Sequence, residues 1–241
     1  MPPPSHSFEE VDRRPTPLGE LILRRRRAPA LGNREIHEIT LGGAFLMSSI
    51  VNESEIALAT RALAARQGDG PARVLVGGLG LGYTARAALD APNVGAVVVV
   101  EWLEPVIAWT WDGLVPLGAG LVADPRLEIR HDDFFALAAG DCPSAETWDA
   151  ILVDIDHSPN HPLAPENVSL YSSEGLARVA ARLRPGGVFA LWSADQPDAG
   201  LLARLATAFG EAWAEEIEFF NPMVSDDDLN TIYLARGRLA R

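Results

Sequence analysis

Cysteine is almost absent: Cys142 stands alone in a chain of 241 residues. An intrachain disulfide is therefore excluded, and a reducing, cytoplasmic location is expected. Basic residues are scarce beside acidic ones, 20 Lys and Arg against 33 Asp and Glu, leaving a net charge of −13. Phosphate binding draws on Lys and Arg, so no nucleic-acid partner is expected. The acidity suits solubility and a small cationic partner. No run of about 18 apolar residues occurs, so no membrane span is expected. The opening MPPPSHSFEEVDRRP lacks the apolar centre of a signal peptide. Internal repeats and low-complexity tracts are also missing. What is present is a hydrophobic content of 48%, enough to bury the core of one α/β domain with a modest appendage.

Residues 1–17 hold five prolines and many polar residues and read as a loose arm. Leu18–Leu23, Arg34–Leu41 and Ala44–Ser48 read as short strands separated by the turn signals Gly32-Asn33 and Gly42-Gly43, making a small β-hairpin unit over 18–50. The run Arg24–Arg27 reads as an exposed strand end rather than an anion patch. From 51 to 241 the chain reads as one catalytic domain. Asn52-Glu53-Ser54-Glu55 starts a helix that ends near Gly68. Apolar strands follow at Arg73–Val76, Ala96–Val100, Leu127–Arg130, Ala150–Val153 and Val188–Trp192. Helices are expected at Thr84–Leu89, around Val106–Trp111, at Ser172–Leu183 and at Asp198–Phe209. Continuous apolar strands alternating with helices predict a parallel sheet covered on both faces. Glu215–Phe220 and Thr231–Ala235, joined only by a loop, predict an antiparallel hairpin at its edge.

Candidate site residues gather at the ends of these strands. Val74-Leu75-Val76-Gly77-Gly78-Leu79-Gly80-Leu81-Gly82 is a strand running into a glycine loop. Gly78, Gly80 and Gly82 allow a tight turn and a close approach of backbone to a nucleotide at the start of the next helix. Glu101 ends the second apolar strand at about the 20-residue spacing at which an acid meets ribose hydroxyls in a βαβ unit. Trp102 is placed to stack on a base; Trp109 and Trp111 read as core or interface residues. The third strand ends in His131-Asp132-Asp133-Phe134, with Asp133, then Asp132, as acceptor for an adenine amino group and Phe134 as the ring beside it. The fourth strand ends in Asp154, followed by Asp156, His157 and His161. His157 and His161 have a metal-ligand spacing, yet Pro159 and Pro162 break the helix that would align them, so no metal is expected.

With VLVGGLGLGYT, VVVVEWLEPVI, RLEIRHDDF, WDAILVDIDHSP and LRPGGVFALW in place over roughly residues 15–236, the chain resembles the spermidine synthases. The resemblance implies a Rossmann-like class I methyltransferase sheet, parallel with a C-terminal antiparallel hairpin, behind a small N-terminal β unit. It implies aminopropyl transfer from decarboxylated S-adenosylmethionine to putrescine or a similar amine. By position, Glu101 becomes the ribose acid, Asp133 the adenine acid, and Asp154 the acid that orients and deprotonates the amine. His157 is a second candidate base and Asp156 a displaced acid, while Tyr171 and His161 fall at the acceptor side. The resemblance also shows departures. Leu81 stands where the family's glycine loop has an acid for the donor ammonium, His157 replaces a second acid, and a glutamine near LMSSIVNES is missing. On that ground the expected donor is S-adenosylmethionine itself, and the expected reaction methyl transfer to a small, cationic acceptor. Aminopropyl transfer is the alternative, and a non-catalytic nucleotide-binding protein the second. A homodimer is the candidate assembly.

Overall fold

The computed structural model describes residues 8–139, 146–222 and 225–237; Cys142 lies outside them. Two sheets are formed. The first is antiparallel, in the order β1 (Glu9–Thr16), β2 (Gly19–Ala28), β3 (Arg34–Leu41), β4 (Ala44–Ser48). The stretch read as a loose arm is thus a strand from Glu9 onward. Its one proline, Pro15, is compatible with pairing because β1 is an edge strand, where a missing N–H need cost no ladder bond. Asp12 ties it to the main domain by accepting from Trp109 Nε1 at 2.8 Å. The arginine run is spent locally. Arg25 pairs with Glu9 at 2.8 Å, Arg26 with Glu38 at 3.1 Å and Arg27 with Glu35 at 3.5 Å.

The second sheet has seven strands. They are β5 (Ala72–Gly77), β6 (Val94–Glu101), β7 (Leu127–His131), β8 (Trp148–Val153), β9 (Leu183–Ser193), β10 (Gly210–Asn221) and β11 (Asp226–Gly237). Their order is β10-β11-β9-β8-β5-β6-β7, with β5, β6, β7, β8 and β9 parallel to one another and β11 antiparallel to both of its neighbours. The continuous apolar strands have a simple cause. Val74, Val76, Val97, Val99, Ala150 and Leu152 bury into one core, while Leu75, Val98, Val100, Ile151 and Val153 bury into a second core on the opposite face. A strand buried on both faces has no polar positions to alternate.

Seven α-helices cover these faces among the described residues: α1 (Glu53–Ala65), α2 (Tyr83–Asp90), α3 (Glu104–Trp111), α4 (Gly118–Val122), α5 (Phe134–Ala139), α6 (Ser173–Ala180) and α7 (Ala199–Phe209). Ser54, Leu58, Ala59 and Ala62 form the buried stripe of α1. Helix α6 is capped by the Ser172 hydroxyl, which accepts from Gly175 N at 3.0 Å. It stops at Ala180, earlier than the helical pattern suggests, because Leu183 already pairs with Trp148 in the sheet. The Pro185–Gly187 segment is absorbed as an irregularity within β9, where the register shifts before Val188 meets Ala150. Of the two later tryptophans, Trp109 is in the core and Trp111 is exposed. No helix among the described residues is long and apolar enough to cross a membrane.

Candidate active site

The C-terminal ends of β5, β6 and β8 converge, and in open α/β sheets ligands sit at such a convergence. The loop after β5 is locked into the sheet. Gly78 N donates to Val100 O and Asp154 N to Gly77 O, each at 2.9 Å. Gly78 has φ +92°, and a Cβ there would fall inside the Asp154 carbonyl oxygen. Gly80 has φ +51°, and a Cβ there would strike the end of the Met47 side chain. Gly78 requires glycine for both conformation and space, and Gly80 chiefly for conformation. Gly82 serves as the N-cap of α2.

Two cavities open beside this loop. The first, of about 480 Å³, is walled by Gly78, Gly80, Glu101, Trp102, Asp133 and Phe134, with Asp154 at one end. Its volume suits a nucleoside with a short tail. Glu101 is buried, and its two oxygens accept from Leu79 N at 2.9 Å and Leu103 N at 2.7 Å. Burial pushes its carboxyl above the usual range, while the N–H groups of Leu103, Leu79, Gly80 and Trp102 pull it back. The carboxylate thus lies at the mouth of a cluster of backbone N–H groups on the cavity wall. Asp133 caps α5 by accepting from Phe135 N at 2.8 Å, leaving its second oxygen for a base. Asp132 accepts from Asp133 N at 2.8 Å and lines neither cavity. The Phe134 ring lies directly under Gly77, where any side chain would collide with it. Trp102 is 44% exposed at the cavity rim, placed for stacking.

The second cavity, of about 420 Å³, is walled by Phe45, Glu55, His157, Trp192, Phe219 and Asn230, and shares Leu46, Met47, Asp154 and Ile155 with the first, Asp154 being the charged member of that set. Asp154 therefore stands at the junction. Its Oδ2 accepts from the Thr84 hydroxyl at 2.6 Å. Burial pushes its carboxyl upward, against that hydrogen bond. Glu55 is pushed up as well, by burial first and by the Asp154 charge second. Two acids in one water-poor site cannot both ionise cheaply. The sequence contains no lysine, and no arginine lines either cavity.

Glu55 was not singled out from sequence, where it reads as an ordinary acid at a helix start. Asp156, expected to take part in the chemistry, is instead committed to the loop. It is 4% exposed, and accepts from Leu163 N at 2.7 Å, Asn167 Nδ2 at 2.8 Å and Tyr171 Oη at 2.6 Å. Tyr171, expected beside the acceptor, is likewise buried with its hydroxyl on Asp156, and burial pushes its phenol well up. It lines neither cavity. His161 also misses both. Its side chain is 72% exposed, with Nδ1 3.2 Å from Ser158 Oγ and 3.6 Å from Asp195 Oδ2. His157 does reach the second cavity. Leu81, which motivated the choice of donor, is 3% exposed and packed in the core, facing neither cavity. Among the described residues, no group of three or more His, Cys, Asp and Glu could hold a metal ion.

Two expected results follow locally. Asp156→Ala strands three donors in a buried loop, so it should lower stability by about 2–5 kcal/mol; a thermal melt within a degree of the parent would contradict this role. Glu101→Ala should weaken binding of 5′-methylthioadenosine by about 1–3 kcal/mol, measured by calorimetry on a variant of unchanged circular dichroism.

No family model matches the chain. It is 34% identical over 120 residues to a polyamine aminopropyltransferase of Mycobacterium tuberculosis, covering 50% of this chain and 22% of that protein. It is 34% identical over 127 residues to one of Prochlorococcus marinus, covering 53% of this chain and 42% of that protein. A putrescine N-methyltransferase of Nicotiana attenuata is 31% identical over 118 residues, covering 49% and 30%. The chain thus spans about a fifth of the length of the mycobacterial relative and less than half of the others. Among solved structures, a spermidine synthase in complex with the transition-state analogue AdoDATO superposes with a TM-score of 0.72 at 18% identity, covering 96% of this chain and 74% of that one. Spermidine synthase from Thermotoga maritima gives 0.71 at 18%, covering 96% and 73%. The architecture is that of the class I methyltransferase-like fold. The chain shares this fold with the spermidine synthases it superposes on, and about half of it is similar in sequence to polyamine aminopropyltransferases.

Proposed function

We propose that the chain is an aminopropyltransferase. It moves the aminopropyl group of decarboxylated S-adenosylmethionine onto a small aliphatic amine. The observation that carries this reading is the pair of cavities meeting at Asp154, both walled by carboxylates and by no cationic side chain. The adenosyl part of the donor occupies the first cavity, with Glu101 on the ribose and Asp133 on the adenine. Its sulfonium and tail then point toward Asp154. A bare propylammonium is attracted there, whereas the carboxylate of S-adenosylmethionine would meet acids without a counter-charge. Methyl transfer was expected from the departures at Leu81, His157 and the missing glutamine, with Leu81 deciding the charge of the donor tail. That side chain is turned into the core, so the walls, not position 81, decide the charge of the tail. The similarity to polyamine aminopropyltransferases supports the same reading.

The chemistry is an in-line displacement at a carbon bound to positive sulfur. The leaving thioether is neutral, so positioning supplies most of the acceleration. An alkylamine has a pKa of about 10.4 and arrives protonated at neutral pH. Asp154, at the junction and with its pKa raised, is the base that takes this proton. Calorimetric titration of both donors tests the assignment. The decarboxylated form should bind at least about tenfold more tightly, a difference of about 1.4 kcal/mol. Tighter binding of S-adenosylmethionine would return the assignment to methyl transfer.

A further inference from the structure

Asp154 does not stand alone at the junction. We infer that Glu55 is a second carboxylate of the acceptor site, gripping the ammonium of the reacting amine together with Asp154. The inference rests on the amine-acceptor reading above and adds a residue that neither the motifs nor the resemblance pointed to.

Glu55 lies in the first turn of α1 and lines the second cavity only, so it faces the acceptor and not the nucleoside. It is held in place. Ser54 Oγ, itself 2.9 Å from Trp192 Nε1 and 2.9 Å from Asn230 Oδ1, contacts Glu55 Oε2 at 2.8 Å. These partners come from β9 and β11, so three separate elements fix one carboxylate. Thr84, from α2, fixes Asp154 in the same way. The other charged or titratable groups on the cavity wall are Glu38 from β3 and Asp156 and His157 from the loop after β8, with Glu53 next to Glu55 on α1. Glu38 is neutralised by Arg26, and Asp156 is saturated by its three donors. Glu55 and Asp154 have neither an arginine nor a saturating donor set. Such a pair needs a proton or a cation between its members. The aromatic wall of Phe45, Trp192 and Phe219 suits the methylene chain that follows an alkylammonium.

The step balances. The bound ammonium gives one proton to the Glu55–Asp154 pair. The freed nitrogen lone pair forms a C–N bond to the donor carbon as the C–S bond breaks, and that electron pair stays on sulfur as a neutral thioether. The product leaves as a secondary ammonium, and the proton on the pair passes to solvent.

The test uses the full chain saturated with 5′-methylthioadenosine and titrated with 1,4-diaminobutane, followed by steady-state kinetics across pH. Glu55→Gln keeps shape and removes charge; it should weaken diamine binding and raise the amine KM by about 10–100-fold, the range of one charge-assisted hydrogen bond. Affinity for 5′-methylthioadenosine should stay unchanged. The acid limb of kcat/KM for the amine should move to lower pH, since one raised carboxylate no longer has to ionise. Glu55→Asp should recover part of the binding. A purely structural Glu55 would lower stability without moving the pH limb. Unchanged diamine binding and an unchanged pH limb in a folded Glu55→Gln variant would overturn the inference while leaving aminopropyl transfer standing. Diamine binding lost in Glu55→Gln, in a protein that transfers no aminopropyl group, would overturn the functional reading alone. A wild-type chain that binds no diamine would overturn both.

Discussion

Asp154→Asn should lower turnover by roughly 10²–10⁴-fold, the range for loss of a general base. The substitution preserves the volume at the junction and lets the Thr84 hydroxyl still donate to an oxygen, so the loop should keep its shape. What disappears is the negative charge facing both cavities and, with it, the proposed base. Nucleoside affinity should change little, because Glu101 and Asp133, the residues proposed to hold that end, are untouched. The amine should also bind more weakly, since half of the carboxylate pair is gone. The same comparison places His157, which lines the acceptor cavity. His157→Gln should cost less than about tenfold if the histidine only shapes the wall, a small fraction of the loss expected for a general base. Near-normal turnover in Asp154→Asn, with activity abolished in His157→Gln, would move the proton path to the histidine.

Gly78→Ala should be still more damaging, because it acts on backbone and not on a side chain. The added Cβ collides with the Asp154 carbonyl, and φ +92° is a conformation that an L side chain seldom adopts. Strain of this kind costs about 1–3 kcal/mol before the clash is counted. The clash cannot be relieved by rotating a flexible side chain; β8 must move away from the loop, carrying Asp154 with it. Both the stability and kcat should fall, and binding of 5′-methylthioadenosine should be lost. Gly80→Ala meets only the mobile end of Met47, so it should be the milder of the two. Equal melting temperatures and activities for Gly78→Ala and the parent would show that the loop is not set by this contact.

The parallel sheet was legible because the centres of its middle strands, Val74–Val76, Val97–Val100 and Ala150–Val153, carry no polar positions. The same feature shows why: alternate residues enter different cores, and neither tolerates a charge. The glycine loop, Glu101 and Asp154 were legible because each follows an apolar strand. Less legible was anything decided by pairing across the chain. The five prolines of residues 1–17 suggested a loose arm, although only Pro15 falls within β1 and an edge strand accommodates it. Tyr171 and Asp156 lie 15 residues apart and nothing local indicates that they bind one another; the contact follows from the fold of the loop between them. Leu81 lies within a turn, where sequence does not reveal which side chains face the ligand and which face the core. Glu55 is the strongest case. An acid in the first turn of a helix is the ordinary complement of the helix dipole, so its spacing carries no functional signal. It acquires one only when the fold sets it opposite Asp154.

Aminopropyl transfer to an amine at the Asp154 junction is read from the products themselves. The most direct test is mass analysis of products after incubating the chain with 1,4-diaminobutane and each donor separately. An aminopropylated diamine and 5′-methylthioadenosine should form from decarboxylated S-adenosylmethionine, with product from Asp154→Asn reduced roughly 10²–10⁴-fold. A methylated diamine formed from S-adenosylmethionine, with nothing formed from the decarboxylated donor, would contradict aminopropyl transfer.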